Sequence, residues 1–332
     1  MSHLMDDQVL HLLVTGLLGP MPGATPAGPS GPAPATLERW LARGDHRPVP
    51  ADPDALLFYL YGMPLPLPGE GVTPDLPTAA LCYLADTGQR PEGVVFHADP
   101  VFLRPDQDRL VLFDAPANDL DSDEAAELIT AINDHLEADG WRLSAPTPGR
   151  WYLHLARQPF LQTRPLGMVL GRNIDRFLPE GADAREFRQR LTEVQMLLHG
   201  QQANARREAA GKLPVNGLWL HGGGALPIPP AKGFALHGAP SPLLRGLQQL
   251  ANGPAAGQLH WLGAAQRAVW DADPGRWWQA VQLTEQQLQQ APASAILYPG
   301  DGQAYRYGPA QRWRLWRRRR PLSDYLLPQD SY

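Results

Sequence analysis

The sequence has almost no cysteine and no hydrophobic run long enough to span a bilayer. Its 332 residues include one cysteine, Cys82. A single cysteine forms neither an internal disulfide nor a cysteine-rich zinc or iron–sulfur site, so nothing indicates an oxidising compartment. The apolar run from Val9 to Leu18 falls well short of the roughly 20 residues that cross a membrane, and it lacks a basic leader. We therefore predict a cytoplasmic protein with a buried first strand and no membrane partner.

Paired metal-ligand spacing is also missing. No two histidines stand in a motif such as H-E-x-x-H, and this holds for His97, His154, His199, His237 and His260. A histidine metal site would therefore need side chains distant in sequence to converge in space. From spacing alone we predict no metal site.

Proline, glycine and an uneven charge distribution are what the sequence has instead. It contains 36 prolines and 32 glycines, which predict many turns, and its length allows two lobes. The net charge is −5, yet residues 99–139 carry twelve acidic side chains and two arginines, whereas residues 306–320 carry seven arginines and no acid. This asymmetry indicates an acidic lobe and a basic tail that attract each other or recruit separate partners.

Alternating strand and helix patterns predict an α/β fold. Four strand candidates alternate with helices at about 242–250 and 276–290, as in a parallel sheet: Gly217–His221, Gly233–His237, Arg267–Asp271 and Ser294–Tyr298. Ligands bind at the carboxyl ends of such strands. We therefore expect one rim of the sheet to carry Thr15, His221, His237, Asp271 and Asp301.

A second pattern, beginning at Gly93, predicts an inserted α+β lobe. Strand-like segments flank a helix from Ser122 to Ala138, and a return helix starts at Asp183, where Glu186 completes a capping-box pattern. We predict a core domain from residues 1–90 plus 200–332, and an inserted lobe with its return helix over residues 91–199. A Pro/Gly/Ala linker is expected from Pro20 to Ala35.

The segment from Glu193 to Leu226 carries a family resemblance. It is similar to the "N..R...G..P.N..W..G.G" segment of archaeal-type cofactor-independent phosphoglycerate mutases, in the alkaline phosphatase superfamily, through Asn204, Arg206, Gly211, Lys212, Pro214, Asn216, Trp219, Gly222 and Gly224. It resembles even more closely the RpfE-type regulatory proteins of bacteria, distant relatives of those mutases. The resemblance implies an alkaline-phosphatase-like, mainly parallel sheet flanked by helices, with an inserted smaller α+β lobe.

The resemblance implies catalytic signatures of the mutases, and these are altered in this chain. The mutases hold two divalent ions and phosphorylate a serine. Their Asp-Gly-Leu-Gly signature resembles residues 14–17, where Thr15 is a poor replacement ligand, and the nucleophile segment resembles residues 51–62, which contain no serine. Asp301 persists in Gly300-Asp301-Gly302, and Asp271 begins a partial match, but the histidines that follow in the family do not. We therefore predict that two-metal phosphoryl transfer is lost.

The expected function is that of a non-catalytic regulatory or scaffold protein, a pseudoenzyme without a cofactor. Its partner would be an unknown protein or a small phosphorylated ligand held by Arg206, Lys212, Asn216, Gly222, Gly223 and Gly224. The alternative for this segment is a structural hinge between the lobe and the sheet.

Two other functions stay open at this point. The first is a phosphomutase or phosphatase, dependent on Mn²⁺ or Mg²⁺ and acting on a small phosphoester such as phosphoglycerate, with His221, Asp271 and Asp301 as candidate catalytic residues. The second is a nucleic-acid-associated regulator that uses the tail from Arg312 to Pro321, where arginines and tryptophans alternate. The structural alternative for that tail anchors Trp313 and Trp316 in the core and turns the arginines toward the acidic lobe.

Overall fold

Two units make up the fold. The computed structural model describes residues 9–20, 32–66, 75–107, 109–292 and 294–327. The first unit combines residues 1–64 with 229–332, and the second spans residues 65–228. The predicted linker falls mostly on residues 21–31, outside the described residues. Within the described chain, no helix has both the length and the apolar character needed to cross a bilayer.

The described chain contains strands of four to thirteen residues and helices of four to seventeen. The strands are β1 (Leu10–Leu13), β2 (Asp45–Pro48), β3 (Val94–Asp106), β4 (Arg109–Phe113), β5 (Arg142–Thr147), β6 (Arg150–Leu155), β7 (Gly217–Ala225), β8 (Gly233–His237), β9 (Ala255–Trp261), β10 (Ala295–Tyr298) and β11 (Gln303–Tyr307). The α-helices are α1 (Ala35–Arg43), α2 (Pro53–Leu60), α3 (Thr78–Thr87), α4 (Ala115–Asp119), α5 (Ser122–Leu136), α6 (Ala184–His199), α7 (Gln202–Ala209), α8 (Pro242–Leu250), α9 (Ala264–Trp270), α10 (Pro274–Gln290) and α11 (Pro309–Arg312). Short 3-10 turns occur at Glu137–Asp139, Leu166–Met168, Ile174–Phe177 and Leu322–Tyr325.

The first unit contains a mixed, mainly parallel sheet with the strand order β2-β11-β10-β1-β9-β8. Strands β10, β1, β9 and β8 run parallel, and β11 is antiparallel to both its neighbours. The core joins strand residues such as Leu12 and Leu297 to α1 and α10 through Leu37 and Val281. This arrangement confirms the predicted α/β class with a mainly parallel sheet and flanking helices.

Local sequence signals explain the helices of the first unit. Ser241 caps α8 by accepting a hydrogen bond from the Leu244 amide, and Pro242 takes the first helical position. Asp273 caps α10 by accepting a hydrogen bond from the Arg276 amide, and Pro274 takes the first helical position. The predicted bounds of α8 are confirmed, and α10 begins two residues before its predicted start.

The second unit is an antiparallel sheet built around β3, which pairs with β4, β6 and β7. On one face, Phe96 and Ala98 pack against Leu128 of α5 and Phe187 of α6. Helix α3 and the residue before it, Pro77, lie on the opposite face, which we call the α3 side. Neighbouring residues of β7 show this, because a side chain at Gly224 would meet Pro77 whereas one at Gly223 would meet Phe96. Alternate residues of β3 therefore face an apolar helix layer and the α3 side.

Several sequence predictions about these elements are wrong. Residues 217–221 do form a strand, but it belongs to the antiparallel sheet of the second unit, and the predicted boundaries at 91 and 199 lie inside that unit. Residues 267–270 belong to helix α9, which buries Ala265 and Ala268 three positions apart. The missing parallel strand is β9, whose Gly257 and Gln258 weaken its strand pattern. Helix α5 ends at Leu136, two residues before its predicted end, and Asp183 makes no side-chain cap to α6, so the predicted capping box is absent.

Candidate functional site

Three side chains that bear chemistry meet on the α3 side of the second unit. His97 and Asp99 are two positions apart on β3 and so share a face, and His221 lies opposite His97 in the β3–β7 register. The two imidazole rings stack with centroids 4.5 Å apart and planes inclined by 21°. His221 Nε2 lies 2.8 Å from Asp99 Oδ2. One ligand atom from each residue fits within 4.8 Å of the others.

Burial sets the ionisation of this cluster. His97 and Asp99 are 7% and 8% exposed. Burial, with a smaller contribution from His221, lowers the pKa of His97 to about 3, so this imidazole is neutral at pH 7. Burial alone would raise the pKa of Asp99, but the hydrogen bond and charge of His221 outweigh it and hold that pKa below its ordinary value. The cluster therefore presents a neutral imidazole beside a carboxylate.

A second polar network borders the cluster. The ring of Tyr152 lies 5.5 Å from the ring of His97, and its hydroxyl donates a hydrogen bond of 2.8 Å to Asp86 of α3. Arg150 holds both carboxylate oxygens of Asp86 at 2.8 and 2.9 Å. Burial raises the pKa of Tyr152, so the phenol stays protonated. Tyr152 therefore donates to Asp86 while its ring packs against His97.

The glycine triplet 222–224 allows close packing within β7. A Cβ atom at Gly223 would lie 2.0 Å from the Phe96 ring, and one at Gly222, where φ is +63°, would lie 2.1 Å from Thr78 Oγ1. The Gly223 N–H donates to the carboxylate of Asp75 at 3.4 Å, and the same carboxylate accepts hydrogen bonds from Thr163. The anion beside this triplet is therefore a side chain of the protein itself, while phosphate binding by these glycines stays a prediction.

The other predicted ligand residues make structural contacts. Arg206 forms an ion pair of 2.6 Å with Glu127, and Lys212 Nζ lies 3.4 Å from the Asp119 carbonyl oxygen. The side-chain amide of Asn216 bonds both the N–H and the carbonyl of Leu103, at 2.7 and 2.9 Å. These contacts are structural, but they lie within the second unit, so the segment is not the hinge between the lobe and the parallel sheet that the alternative predicted.

Arg207, which the sequence grouped with Arg206 and Lys212 as a possible anion pocket, has a structural environment instead. Its side chain is fully buried and forms ion pairs with Glu124, at 2.7 Å, and with Asp119. Its Nε also donates to the Leu213 carbonyl. Arg207 lies four positions after the buried Ala203, and this helical spacing was the signal that distinguished it from Arg206.

The candidate catalytic residues do not form one group in the described part of the chain. Asp271 ends helix α9 and pairs with Arg267 at 3.0 Å and Arg276 at 3.6 Å. Asp301 accepts hydrogen bonds from the Tyr305 hydroxyl at 2.6 Å and the Gln303 N–H at 3.0 Å. Among the described residues, the one group of three potential metal ligands contains His221 but neither Asp271 nor Asp301.

The place where the resemblance implies two divalent ions does not offer a suitable donor set. Thr15 follows β1 and Asp301 follows the neighbouring parallel strand β10. The Thr15 hydroxyl is buried and has no hydrogen-bond partner in the described structure. Divalent ions of this kind require several carboxylate or imidazole ligands. A threonine and a carboxylate already bonded to Tyr305 do not fit two ions.

The structural alternative for the basic tail is wrong in both parts. Trp313 and Trp316 are 77% and 75% exposed rather than anchored in the core. Arg314 pairs with Asp45 at 2.6 Å, and Arg319 lies 3.3 Å from Glu38, so these arginines bind carboxylates of the first unit instead of the acidic lobe. The reason is local, since Glu38 of α1 and Asp45 of β2 supply the carboxylates, and the Gly44 carbonyl between these elements accepts a hydrogen bond from Arg317.

No family model matches the chain, but part of it is similar to known mutases. A probable 2,3-bisphosphoglycerate-independent phosphoglycerate mutase of Geobacter sulfurreducens is 30% identical over 138 residues, which cover 40% of this chain and 34% of that protein. The corresponding mutase of Methanosarcina mazei is 29% identical over 143 residues, covering 41% and 35%. The matches thus span about a third of the length of these relatives. They support a distant relationship to cofactor-independent phosphoglycerate mutases.

Among solved structures, similarity extends along most of the chain but is weak. The cofactor-independent phosphoglycerate mutase of Thermoplasma acidophilum is 19% identical, with a TM-score of 0.38, over 91% of this chain and 90% of that one. A protein of Pyrococcus horikoshii is 12% identical, with a TM-score of 0.45, over 91% and 88%.

Proposed function

We propose that this chain is a mutase-related regulatory or scaffold protein in which two-metal phosphoryl transfer has been lost. Its partner in this proposal is another protein or a small phosphorylated ligand. The observation that carries the proposal is the environment of Asp301, the one acidic residue that persists in the family's Gly-Asp-His signature. Its carboxylate oxygens are bonded to Tyr305 and Gln303.

Phosphoryl transfer by two metal ions needs charged ligands that converge on both ions. Burial raises the pKa of Asp301, and this shift disfavours the charged form that an ion would require. Asp271 is committed to two arginines, and Thr15 replaces a carboxylate with a hydroxyl. These three substitutions and contacts support the loss of the ancestral chemistry.

The segment that resembles the nucleophile loop supports the same proposal. Asp52 stands at the position of the family's serine, and its carboxylate caps helix α2 by accepting a hydrogen bond of 2.8 Å from the Ala55 amide. Pro53 then occupies the first helical position. Asp52 therefore offers a helix-capping carboxylate where the family has a serine hydroxyl, and two adjacent acids, Asp52 and Asp54, repel a negatively charged phosphoester.

The finer assignment, an RpfE-type regulator of bacteria in the cytoplasm, belongs to the proposal as well. It rests on the resemblance of residues 193–226 and on the single cysteine, Cys82, which is buried and forms no disulfide.

Turnover of 3-phosphoglycerate and of p-nitrophenyl phosphate, measured with Mn²⁺ and with Mg²⁺, tests the proposal. We expect no metal-dependent turnover, and no difference between the native chain and the variants Asp301→Ala and Asp271→Asn. Native mass spectrometry after equilibration with Mn²⁺ and desalting should show the same Mn²⁺ content in the native chain and in Asp301→Ala. Turnover that requires Mn²⁺ and disappears in Asp301→Ala would establish an active phosphomutase or phosphatase instead.

Calorimetric titration with 3-phosphoglycerate separates the two kinds of partner. Binding that weakens in Lys212→Ala but not in the exposed control Arg185→Ala would support a small phosphorylated ligand. Absence of binding would leave a protein partner as the remaining form of the proposal.

A further inference from the structure

We propose that His97, Asp99 and His221 form a binding site for one divalent transition-metal ion of the zinc type. The site lies entirely within the second unit, on the α3 side of the β3–β7 pair. Its residues are different from Thr15 and Asp301, which belong to the first unit, and it goes beyond the proposed regulatory function.

The donor set selects the class of ion. Two imidazoles and one carboxylate are typical ligands of Zn²⁺, which in such three-residue sites keeps a fourth position for water or another ligand. Mg²⁺ and Ca²⁺ prefer sites made of oxygen atoms alone. The inferred ion therefore differs from the Mn²⁺ or Mg²⁺ expected for an active mutase.

The distances are compatible with a tetrahedral ion after a small adjustment. Bonds of about 2.1 Å to a tetrahedral ion place two ligand atoms about 3.4 Å apart. The candidate ligand atoms of the three residues lie within 4.8 Å of one another. The closest pair, His221 Nε2 and Asp99 Oδ2, is 2.8 Å apart and shares a proton. Replacing that proton by the ion requires this pair to separate by about half an ångström.

The backbone already holds the ligands together. His97 and His221 are direct partners in an antiparallel register, and the His97 ring lies between the rings of His221 and Tyr152. Gly222 fits closely against Thr78 and His97, which leaves little room for movement. Ligands fixed in this way lose little conformational freedom when an ion binds.

The His97 imidazole supplies an independent argument. It is 93% buried, and nothing in the described part of the chain donates a hydrogen bond to it or accepts one from it. A ring nitrogen that no described side chain occupies, on a neutral imidazole, is available as a ligand to a bound ion.

Zinc stoichiometry and affinity test the inference. The full chain is equilibrated with Zn²⁺, desalted and examined by native mass spectrometry, and its affinity is measured by competition with a chelating dye. We expect one Zn²⁺ per chain. Asp99→Asn and His221→Gln should each weaken binding at least about tenfold, because even residues that only support a ligand contribute that much.

His154→Asn is the matched control. His154 lies on β6 in the same sheet and bonds Ser144 at 2.8 Å, outside the cluster. Its replacement should leave zinc affinity unchanged. Circular dichroism and thermal unfolding of each variant separate a lost ligand from a lost fold, and Asp99→Asn conserves shape. Co²⁺ provides a second measurement, because ligation by these residues gives visible absorption that is absent in His221→Gln.

Two results would overturn the inference. The native chain would retain no Zn²⁺, or it would retain the ion equally in the native, Asp99→Asn and His221→Gln forms. Neither result bears on the proposed function, which fails only through Mn²⁺-dependent or Mg²⁺-dependent turnover that is lost in Asp301→Ala.

Discussion

The two units use buried carboxylates in different ways. In the first unit, Glu285 accepts hydrogen bonds from the backbone N–H groups of Thr36 and Leu37 at 3.0 and 2.8 Å, and Glu38 accepts one from the Leu322 N–H. In the second unit, Glu124 pairs with the buried guanidinium of Arg207, and Asp99 bonds an imidazole. The difference lies in the charged partners, because Glu38 lies 3.3 Å from an exposed arginine, Arg319, whereas Glu124 and Asp99 bond side chains that are buried or half-buried.

The positions that resemble mutase signatures and the cluster of ionisable side chains lie in different units. The first unit carries Asp271 and Asp301, the positions that resemble metal-binding signatures of the mutases, yet both carboxylates are committed to internal contacts. The antiparallel sheet of the second unit brings ionisable side chains together in the cluster of His97, Asp99 and His221. A signature inherited in the sequence is therefore a poor guide to where reactive groups meet.

The largest effect should come from removing the buried cation of the second unit. Arg207→Ala leaves Glu124, whose side chain is 10% exposed, without its ion-pair partner. Breaking a buried pair by removing one partner costs about 3–5 kcal/mol. We expect the free energy of unfolding, measured by urea denaturation, to fall by that amount.

Arg206→Ala is the control for this comparison. Arg206 is the adjacent arginine, and its ion pair with Glu127 lies on the surface. Exposed pairs contribute at most about 1 kcal/mol. Equal losses from the two variants would contradict the distinction between a buried and an exposed arginine.

In the first unit, His11 should make the free energy of unfolding depend on pH. This residue is 5% exposed and its Nδ1 lies 2.9 Å from the Tyr298 hydroxyl. Burial, helped by the charge of Lys232, lowers its pKa from 6.5 to about 4. Between these values the unfolded chain binds a proton that the folded chain does not, so stability falls as the pH drops. The full loss between pH 7 and pH 4 is about 3 kcal/mol.

Unfolding curves of His11→Gln measure this contribution. The variant should lack that part of the pH dependence, whereas the exposed control His199→Gln should follow the native chain. Parallel pH profiles for all three proteins would show that His11 does not titrate in this range.

Local signals were sufficient for some elements of both units. Helix α8 could be predicted to the residue because Ser241 caps it, Pro242 begins it and leucines recur at helical spacing. Strand β9 could not, because Gly257 and Gln258 interrupt the apolar pattern, and one of its two parallel neighbours, β1, comes from a distant segment of the chain. Pairing, rather than local propensity, makes this segment a strand.

The candidate site shows the same limit more sharply. The spacing of His97 and Asp99 places both on one face if the segment is a strand, and this much was available from the sequence. Their partner His221 lies 122 positions beyond Asp99, and only the β3–β7 register brings it there. A one-residue shift of that register would turn His221 to the other face. Sequence alone therefore could not identify the cluster.

A smaller effect is expected at the glycine triplet. A methyl group at Gly223 would lie 2.0 Å from the buried Phe96 ring, so Gly223→Ala forces that ring or the strand to move. Overpacking of this kind costs about 1–3 kcal/mol. Gly200→Ala is the control, because the nearest atom to its added methyl group would be 3.9 Å away. If thermal unfolding gave the same stability for both variants, the triplet would not be a packing feature.

The smallest effect should come from the exposed tryptophans of the tail. Trp316 is 75% exposed, so truncating it removes little buried surface, and surface substitutions usually change stability by less than about 0.5 kcal/mol. The backbone contacts that hold this segment, such as the bond from Arg43 to the Arg317 carbonyl, remain in Trp316→Ala. Trp277→Ala provides the contrast, because Trp277 is 3% exposed and bonds the Gly16 carbonyl. Removing a buried tryptophan costs about 3–5 kcal/mol. A loss above 1 kcal/mol in Trp316→Ala would mean that its ring is packed against the protein in solution.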